Sequence, residues 1–95
     1  MAASVTIYTT PYCPFCIRAK SLLRHKGVDF TEIDTTGRPD LRAYLVEASG
    51  QRTVPQVFIN GKAFGGFSDI SALDDRGALD PLLTETPATL PDLPR

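Results

Sequence analysis

The segment Cys-Pro-Phe-Cys at 13–16 holds both cysteines of the chain, at a point where a strand pattern changes into a helix pattern. Residues 4–9 (SVTIYT) are rich in β-branched and aromatic side chains, which is typical of a β-strand. Residues 14–27 repeat apolar side chains at three or four positions and end in glycine, which predicts an α-helix. The cysteine pair therefore marks a strand-to-helix junction, which constrains both the fold and the chemistry.

The remaining elements continue an alternating order along the chain. Residues 28–33 alternate apolar and polar side chains like a half-buried strand, and residues 39–50 show helical spacing between a proline and a glycine. Residues 56–64 contain an Asn-Gly pair that favours a type I′ hairpin turn. Residues 65–77 predict a third helix, capped by a serine or an aspartate. The order β-α-β-α-β-β-α predicts an α/β domain with a mixed four-stranded sheet and helices on both faces.

The chain divides into one domain and a short tail. We expect residues 1–83 to form the domain, with the leucines of 79–83 packing on its core. Residues 84–95 carry three prolines and show no periodicity, so we expect a flexible C-terminal tail.

The composition excludes several classes of function. Ten basic residues against 11 acidic ones give a net charge of −1, so no basic face for nucleic acid is predicted. No apolar run approaches the length of a membrane span, and the first ten residues lack the features of a secretory signal. We therefore expect a cytoplasmic protein with no nucleic-acid or membrane partner. We also expect a monomer.

The position of the two cysteines indicates redox chemistry. In the reducing cytoplasm a lone pair is more typical of catalysis or metal binding than of a structural disulfide. Pro14 suits a first helical turn, which places Cys13 at the helix N-terminus. Free N–H groups and the positive end of the helix dipole favour a thiolate there. Cys16 lies a turn further in, gains less from the dipole and is the predicted resolving thiol.

Other interpretations of the pair remain open. A zinc site needs about four ligands, whereas the chain offers two cysteines and a single histidine, His25, nine positions beyond Cys16. A structural disulfide is a second alternative, although a reducing compartment disfavours it. Two ordinary core cysteines would not explain the placement at a helix start.

Three motifs in a fixed order carry a resemblance to a known family. Cys-Pro-Phe-Cys at 13–16, Thr-Val-Pro at 53–55 and Gly-Gly at 65–66 resemble a dithiol glutaredoxin, most of all the bacterial glutaredoxin C (glutaredoxin 3) type. The resemblance extends over about residues 4–83. It implies a thioredoxin fold, glutathione as co-substrate and no tightly bound cofactor. It also implies that Cys13 is the attacking thiol and Cys16 the resolving one.

The resemblance further implies a glutathione site assembled from distant segments. Pro55 matches the cis-proline of the family, which turns the Val54 backbone toward Cys13 to pair with the cysteinyl backbone of glutathione. N–H groups that open the third helix suit the γ-glutamyl carboxylate. The implied glutathione-binding residues are Tyr12, Arg42, Arg52, Thr53, Val54, Pro55, Gly66, Phe67, Ser68 and Asp69.

Some of these residues have a specific expected contact and a plainer alternative. Asp69 is expected to pair with the γ-glutamyl ammonium, and Arg42 or Arg52 with the glycyl carboxylate. Both arginines are equally interpretable as solvated surface charges. Tyr12 is expected at the rim of the site, and packing is its alternative. The Gly-Gly pair at 65–66 is otherwise only a strand-to-helix turn.

The sequence departs from the family pattern beside the nucleophile. Relatives often carry lysine three residues before the attacking cysteine, whereas this chain has Thr10. Without that ammonium we expect weaker stabilisation of the Cys13 thiolate, for which Arg18 is a possible substitute. Phe15 replaces a commoner tyrosine and removes one hydroxyl.

The resemblance implies a glutathione-dependent thiol–disulfide oxidoreductase. Its expected partners are glutathione, glutathionylated or disulfide-containing proteins, and, through glutathione alone, a separate NADPH-dependent glutathione reductase. Two alternatives stay open: a dimer that binds a glutathione-ligated [2Fe–2S] cluster, and a thioredoxin-like adaptor without turnover.

Overall fold

Four strands and four helices make up the part of the chain that the computed structural model describes, residues 3–86 and 93–95. The strands are β1 (Val5–Thr9), β2 (Phe30–Asp34), β3 (Gln56–Ile59) and β4 (Lys62–Gly65). The helices are α1 (Pro14–His25), α2 (Pro39–Ser49), α3 (Phe67–Asp75) and α4 (Leu79–Thr84). The predicted element order is confirmed, and the leucine segment expected to pack on the core forms the additional short helix α4.

The strands form one mixed sheet in the order β2-β1-β3-β4. β1 runs parallel to β2, as the intervening helix α1 requires, and antiparallel to β3. β3 and β4 are an antiparallel hairpin, whose turn residues Asn60 and Gly61 both have positive φ (53° and 81°), as a type I′ turn demands. The central position of β1 brings its C-terminal end beside the start of β3.

Helices cover both faces of the sheet, as predicted. On one face, Leu23 of α1, Ile70 of α3 and Leu79 of α4 pack against alternate side chains of β1 and β3. On the other face, Leu41 and Leu45 of α2 pack against the remaining alternate positions. This division follows from the two-residue period of a strand, which sends successive side chains to opposite faces.

The start of α3 differs from the sequence prediction. The prediction that Ser68 or Asp69 caps this helix is wrong, because the N-cap is Gly66 and the helix begins at Phe67. Asp69 lies inside the first turn, where its Oδ2 accepts a hydrogen bond from the Gly66 N–H at 2.9 Å. A carboxylate at this position satisfies a free N–H of the helix start from within the helix.

The last three residues lie against the face that α2 covers. Leu93 packs on the cluster around Tyr8, and the Tyr8 hydroxyl donates to the Pro94 carbonyl oxygen at 2.6 Å. Arg38 Nη2 donates to a main-chain oxygen of Arg95 at 3.0 Å. The sequence predicts a flexible tail over residues 84–95. Residues 87–92 of that tail lie outside the described part of the chain, so the expectation stays a prediction for them.

The contact between Tyr8 and Pro94 predicts a measurable contribution of the C-terminal residues to stability. We expect Tyr8→Phe to lower the free energy of unfolding by about 1 kcal/mol, because it removes one intramolecular hydrogen bond. Urea unfolding of the full chain measures the loss. The same substitution in a chain that ends at Asp92 should cost much less, and an equal cost in both chains would contradict the contact.

Candidate active site

Cys13 lies beside Val54 because the sheet joins their two segments. β1 leads through a short turn into Cys13, and β3 starts directly after Pro55. The Cys13 thiol donates to the Val54 carbonyl oxygen, with sulfur and oxygen 3.8 Å apart. The peptide bond between Val54 and Pro55 is cis, as the resemblance implied. Cys13 and Val54, which are 41 positions apart in the sequence, are thus neighbours on one surface of the protein.

The two cysteines occupy different environments at the start of α1. Cys13 is the N-cap residue, and its Sγ accepts a hydrogen bond from the Cys16 N–H at 3.3 Å. Pro14 follows at the first helical position, and no acidic residue lies in the first turn. Cys13 is half-buried, whereas Cys16 is 1% exposed, and both are free thiols. One sulfur is therefore accessible to a substrate and the other is enclosed.

These environments move the two pKa values in opposite directions. Burial raises the pKa of Cys13, but hydrogen bonds from the Cys16 thiol and from the backbone of Cys16 and Phe15 outweigh it, and the Thr10 hydroxyl adds to them. The pKa of Cys13 is thus below its usual value. For Cys16, burial together with the hydrogen bond to Cys13 raises the pKa to about 11. Of the two sulfurs, the accessible one therefore loses its proton more readily.

A cleft of about 240 Å³ opens next to the thiols and gathers most of the predicted ligand-binding residues. It lies between the segment that leads into β3 and the start of α3. A Cβ on Gly66 would lie 3.2 Å from the Pro55 carbonyl oxygen, so glycine permits the close approach of these two segments. The lining residues are Phe15, Gln51, Thr53, Val54, Pro55, Gly66, Phe67, Ser68 and Asp69.

The remaining predicted residues lie outside that cleft. Arg42 on α2 and Arg52 on the following loop line a separate hollow of about 400 Å³ with Ala43 and Val46. Arg42 Nη2 donates to the Arg52 carbonyl oxygen at 3.1 Å, which ties α2 to the loop that leads into the cleft. Tyr12, directly before Cys13, is 96% exposed.

The sequence analysis missed two residues that line the cleft, Phe15 and Gln51. Phe15 belongs to the first turn of α1, where it is 51% exposed. Gln51 follows the last residues of α2, where no local pattern marks a site. The buried Gln56 Nε2 donates to Gln51 Oε1 and to the Thr53 carbonyl oxygen, both at 2.9 Å. The loop is thereby attached to the first residue of β3.

Within residues 3–86 and 93–95, no three side chains from His, Cys, Asp or Glu come together in a group that could hold a metal ion. None of the helices in that same part of the chain has both the length and the apolar character that crossing a membrane requires.

The opposed pKa values predict selective alkylation of the reduced protein. At neutral pH we expect iodoacetamide to modify Cys13 and to spare Cys16, with an apparent pKa for Cys13 below the value of about 8.5 for free cysteine. Peptide mass spectrometry over a pH series measures both rates. Thr10→Val should raise the Cys13 pKa, because it removes a hydrogen-bond donor, while Thr6→Val on β1 serves as the matched control. A Cys13 pKa at or above that of free cysteine would contradict the assignment.

Comparison with known proteins identifies the family. A family model described as Glutaredoxin matches residues 5–64. A Glutaredoxin from Pseudomonas aeruginosa is 54% identical over 80 residues, which cover 84% of this chain and 95% of that protein. Glutaredoxin 3 of Escherichia coli strain K12 is 51% identical over 81 residues, which cover 85% and 98%.

A solved structure agrees with these relatives. The crystal structure of a buckwheat glutaredoxin–glutathione complex superposes with a TM-score of 0.80 at 34% identity, over 86% of this chain and 77% of that one. The likeness confirms the predicted thioredoxin fold. The chain belongs to the glutaredoxin family, whose members are generally thiol–disulfide oxidoreductases.

Proposed function

We propose that the protein is a glutathione-dependent oxidoreductase that reduces glutathione mixed disulfides and protein disulfides. The observation that carries this proposal is the half-buried Cys13 sulfur, hydrogen-bonded to the Cys16 N–H at 3.3 Å and next to the Val54 carbonyl oxygen. A thiolate stabilised in this way is a nucleophile at neutral pH. A related glutaredoxin from buckwheat forms a complex with glutathione, which supports glutathione as the co-substrate.

The cleft offers polar groups that match the three residues of glutathione. We propose that the Val54 N–H and C=O pair with the cysteinyl backbone of glutathione, as an added strand would. Pro55 and Thr53 flank this contact, and Tyr12 forms the rim beside the sulfur. This arrangement directs the glutathione sulfur toward Cys13.

The two ends of glutathione carry charges that the surrounding residues complement. The N–H groups of Phe67 and Ser68 open α3 beyond Gly66 and suit the γ-glutamyl carboxylate. Asp69 uses its Oδ2 for the Gly66 N–H, which leaves Oδ1 for the γ-glutamyl ammonium. At the opposite end, Arg42 and Arg52 supply positive charge for the glycyl carboxylate.

Reduction of a glutathione mixed disulfide needs Cys13 alone. The Cys13 thiolate attacks the glutathione sulfur, the mixed disulfide breaks, and its electron pair leaves on the protein sulfur, which takes up a proton. The thiolate of a second glutathione then attacks the glutathione sulfur of the adduct. Glutathione disulfide forms and the Cys13 thiolate returns.

Reduction of a protein disulfide uses Cys16 as well. The Cys13 thiolate attacks one sulfur of the substrate disulfide, which forms a mixed disulfide and releases the other substrate sulfur as a thiol. Cys16 then attacks Cys13 Sγ, the mixed disulfide breaks, the second substrate sulfur leaves as a thiol, and an internal disulfide closes. Two glutathione molecules reopen that disulfide in sequence. A separate glutathione reductase restores the glutathione with electrons from NADPH, so no cofactor needs to be tightly bound.

The proposal includes the setting in which the enzyme works. We infer a monomer in the cytoplasm, where glutathione keeps thiols reduced. Residues 1–83 supply every group used in these steps, so residues 84–95 are a tail outside the chemistry.

Two single substitutions test the roles of the cysteines. We expect Cys13→Ser to abolish turnover of a glutathionylated peptide in an assay coupled to glutathione reductase. Cys16→Ser should retain that turnover and lose most of its reduction of a protein disulfide. If Cys16→Ser also abolished turnover of the glutathionylated peptide, the division of roles would be wrong.

A further inference from the structure

A charged network lies between α1, β1 and β2 on the side of the sheet that Cys16 faces. Lys20 Nζ forms an ion pair with Glu32 Oε2 at 2.9 Å. The Thr9 hydroxyl, which is 2% exposed, donates to the same carboxylate oxygen at 2.8 Å. None of the steps described above assigns a role to these groups.

Lys20 is the member of this network that lies nearest to Cys16 along the helix. The two residues are four positions apart on α1, so their side chains share one face of the helix. Helical side chains lean toward the N-terminus, and the Lys20 stem therefore extends over the turn that contains Cys16. Its side chain is 21% exposed, which limits the screening of its charge by water.

The effect on Cys16 has the direction that this geometry requires. Burial, the largest influence, raises the pKa of Cys16, whereas the Lys20 charge lowers it. Glu32 on β2 offsets part of the Lys20 charge, and it holds the Lys20 side chain in place. Lys20 thus places a cation on the helix face that carries a buried sulfur, and its charge favours the ionised form of that sulfur.

One step of the proposed cycle places negative charge on that buried sulfur. When the Cys13–Cys16 disulfide is opened, the glutathione thiolate attacks Cys13 Sγ and a new S–S bond forms there. The Cys13–Cys16 bond breaks, and its electron pair leaves on Cys16 Sγ, which afterwards takes a proton. Such exchange is faster when the leaving sulfur is stabilised as a thiolate.

We propose that Lys20, held in place by Glu32 and Thr9, stabilises the negative charge that forms on the Cys16 sulfur when the internal disulfide opens. Lys20 acts through Cys16 and is therefore a positioning residue for this branch of the reaction. The reverse step, in which Cys16 attacks Cys13, passes through the same charge distribution and gains equally. The inference rests on the proposed dithiol cycle.

The test measures how fast the oxidised protein opens. Full-length oxidised chain is mixed with excess glutathione, or with dithiothreitol, then quenched with acid, alkylated and analysed by mass spectrometry. We expect Lys20→Gln to slow opening about three- to fivefold with either thiol, because the leaving sulfur is the same. Lys20→Arg should restore most of the rate. In a Cys13→Ser background, Lys20→Gln should also raise the pKa of Cys16 in alkylation.

Arg24→Gln is the matched control, since it removes the same charge from the same helix one turn further on. It should open at the rate of the unsubstituted chain. The inference is overturned if Lys20→Gln opens at the unsubstituted rate, if Arg24→Gln slows opening equally, or if Lys20→Arg is as slow as Lys20→Gln. An unsubstituted chain that opens with dithiothreitol but not with glutathione would refute the glutathione dependence instead, while the comparison of variants in dithiothreitol would still decide the role of Lys20.

Discussion

The antiparallel pairing of β1 with β3 is the constraint on which the candidate site depends. This pairing sets Tyr8 opposite Gln56, so the C-terminal end of β1 and the N-terminal end of β3 lie side by side at the same end of the sheet. Cys13 follows the first strand and Val54 precedes the second, which brings the sulfur within 3.8 Å of the Val54 carbonyl oxygen. Any change in this register would separate Cys13 from the backbone proposed to hold its substrate.

Within that frame, burial and hydrogen bonding make the two thiols chemically unequal. The start of α1 gives Cys13 a backbone donor and leaves it accessible, while Cys16 is enclosed one turn further in. The hydrogen bond between the two residues favours charge on Cys13 and disfavours it on Cys16. The proposed nucleophile and the proposed resolving thiol thus arise from one helix start, and the Lys20–Glu32 ion pair is proposed to ease the step that puts charge on Cys16.

Local patterns in the sequence were sufficient for much of this arrangement. Strand and helix periodicity predicted the mixed sheet, and proline after the first cysteine predicted the helix start at Cys13. Features that depend on distant contacts were missed or misplaced. Phe15 is exposed in the first turn of α1, and Gln51, which also lines the cleft, accepts a hydrogen bond from the buried Gln56. The cap of α3 was misassigned, because Asp69 acts from inside the first turn.

The central claim is that the cleft between the Val54 segment and the start of α3 selects glutathione for Cys13. The most direct measurement uses the Cys16→Ser variant and one peptide prepared in two forms, as a mixed disulfide with glutathione or with cysteamine. The rate at which each small thiol is transferred to Cys13 is measured and the two rates are compared. Charged hydrogen bonds to the two ends of glutathione predict transfer more than about tenfold faster from the glutathionyl peptide. Equal rates would mean that the thiol reacts without a glutathione site, and would contradict the account.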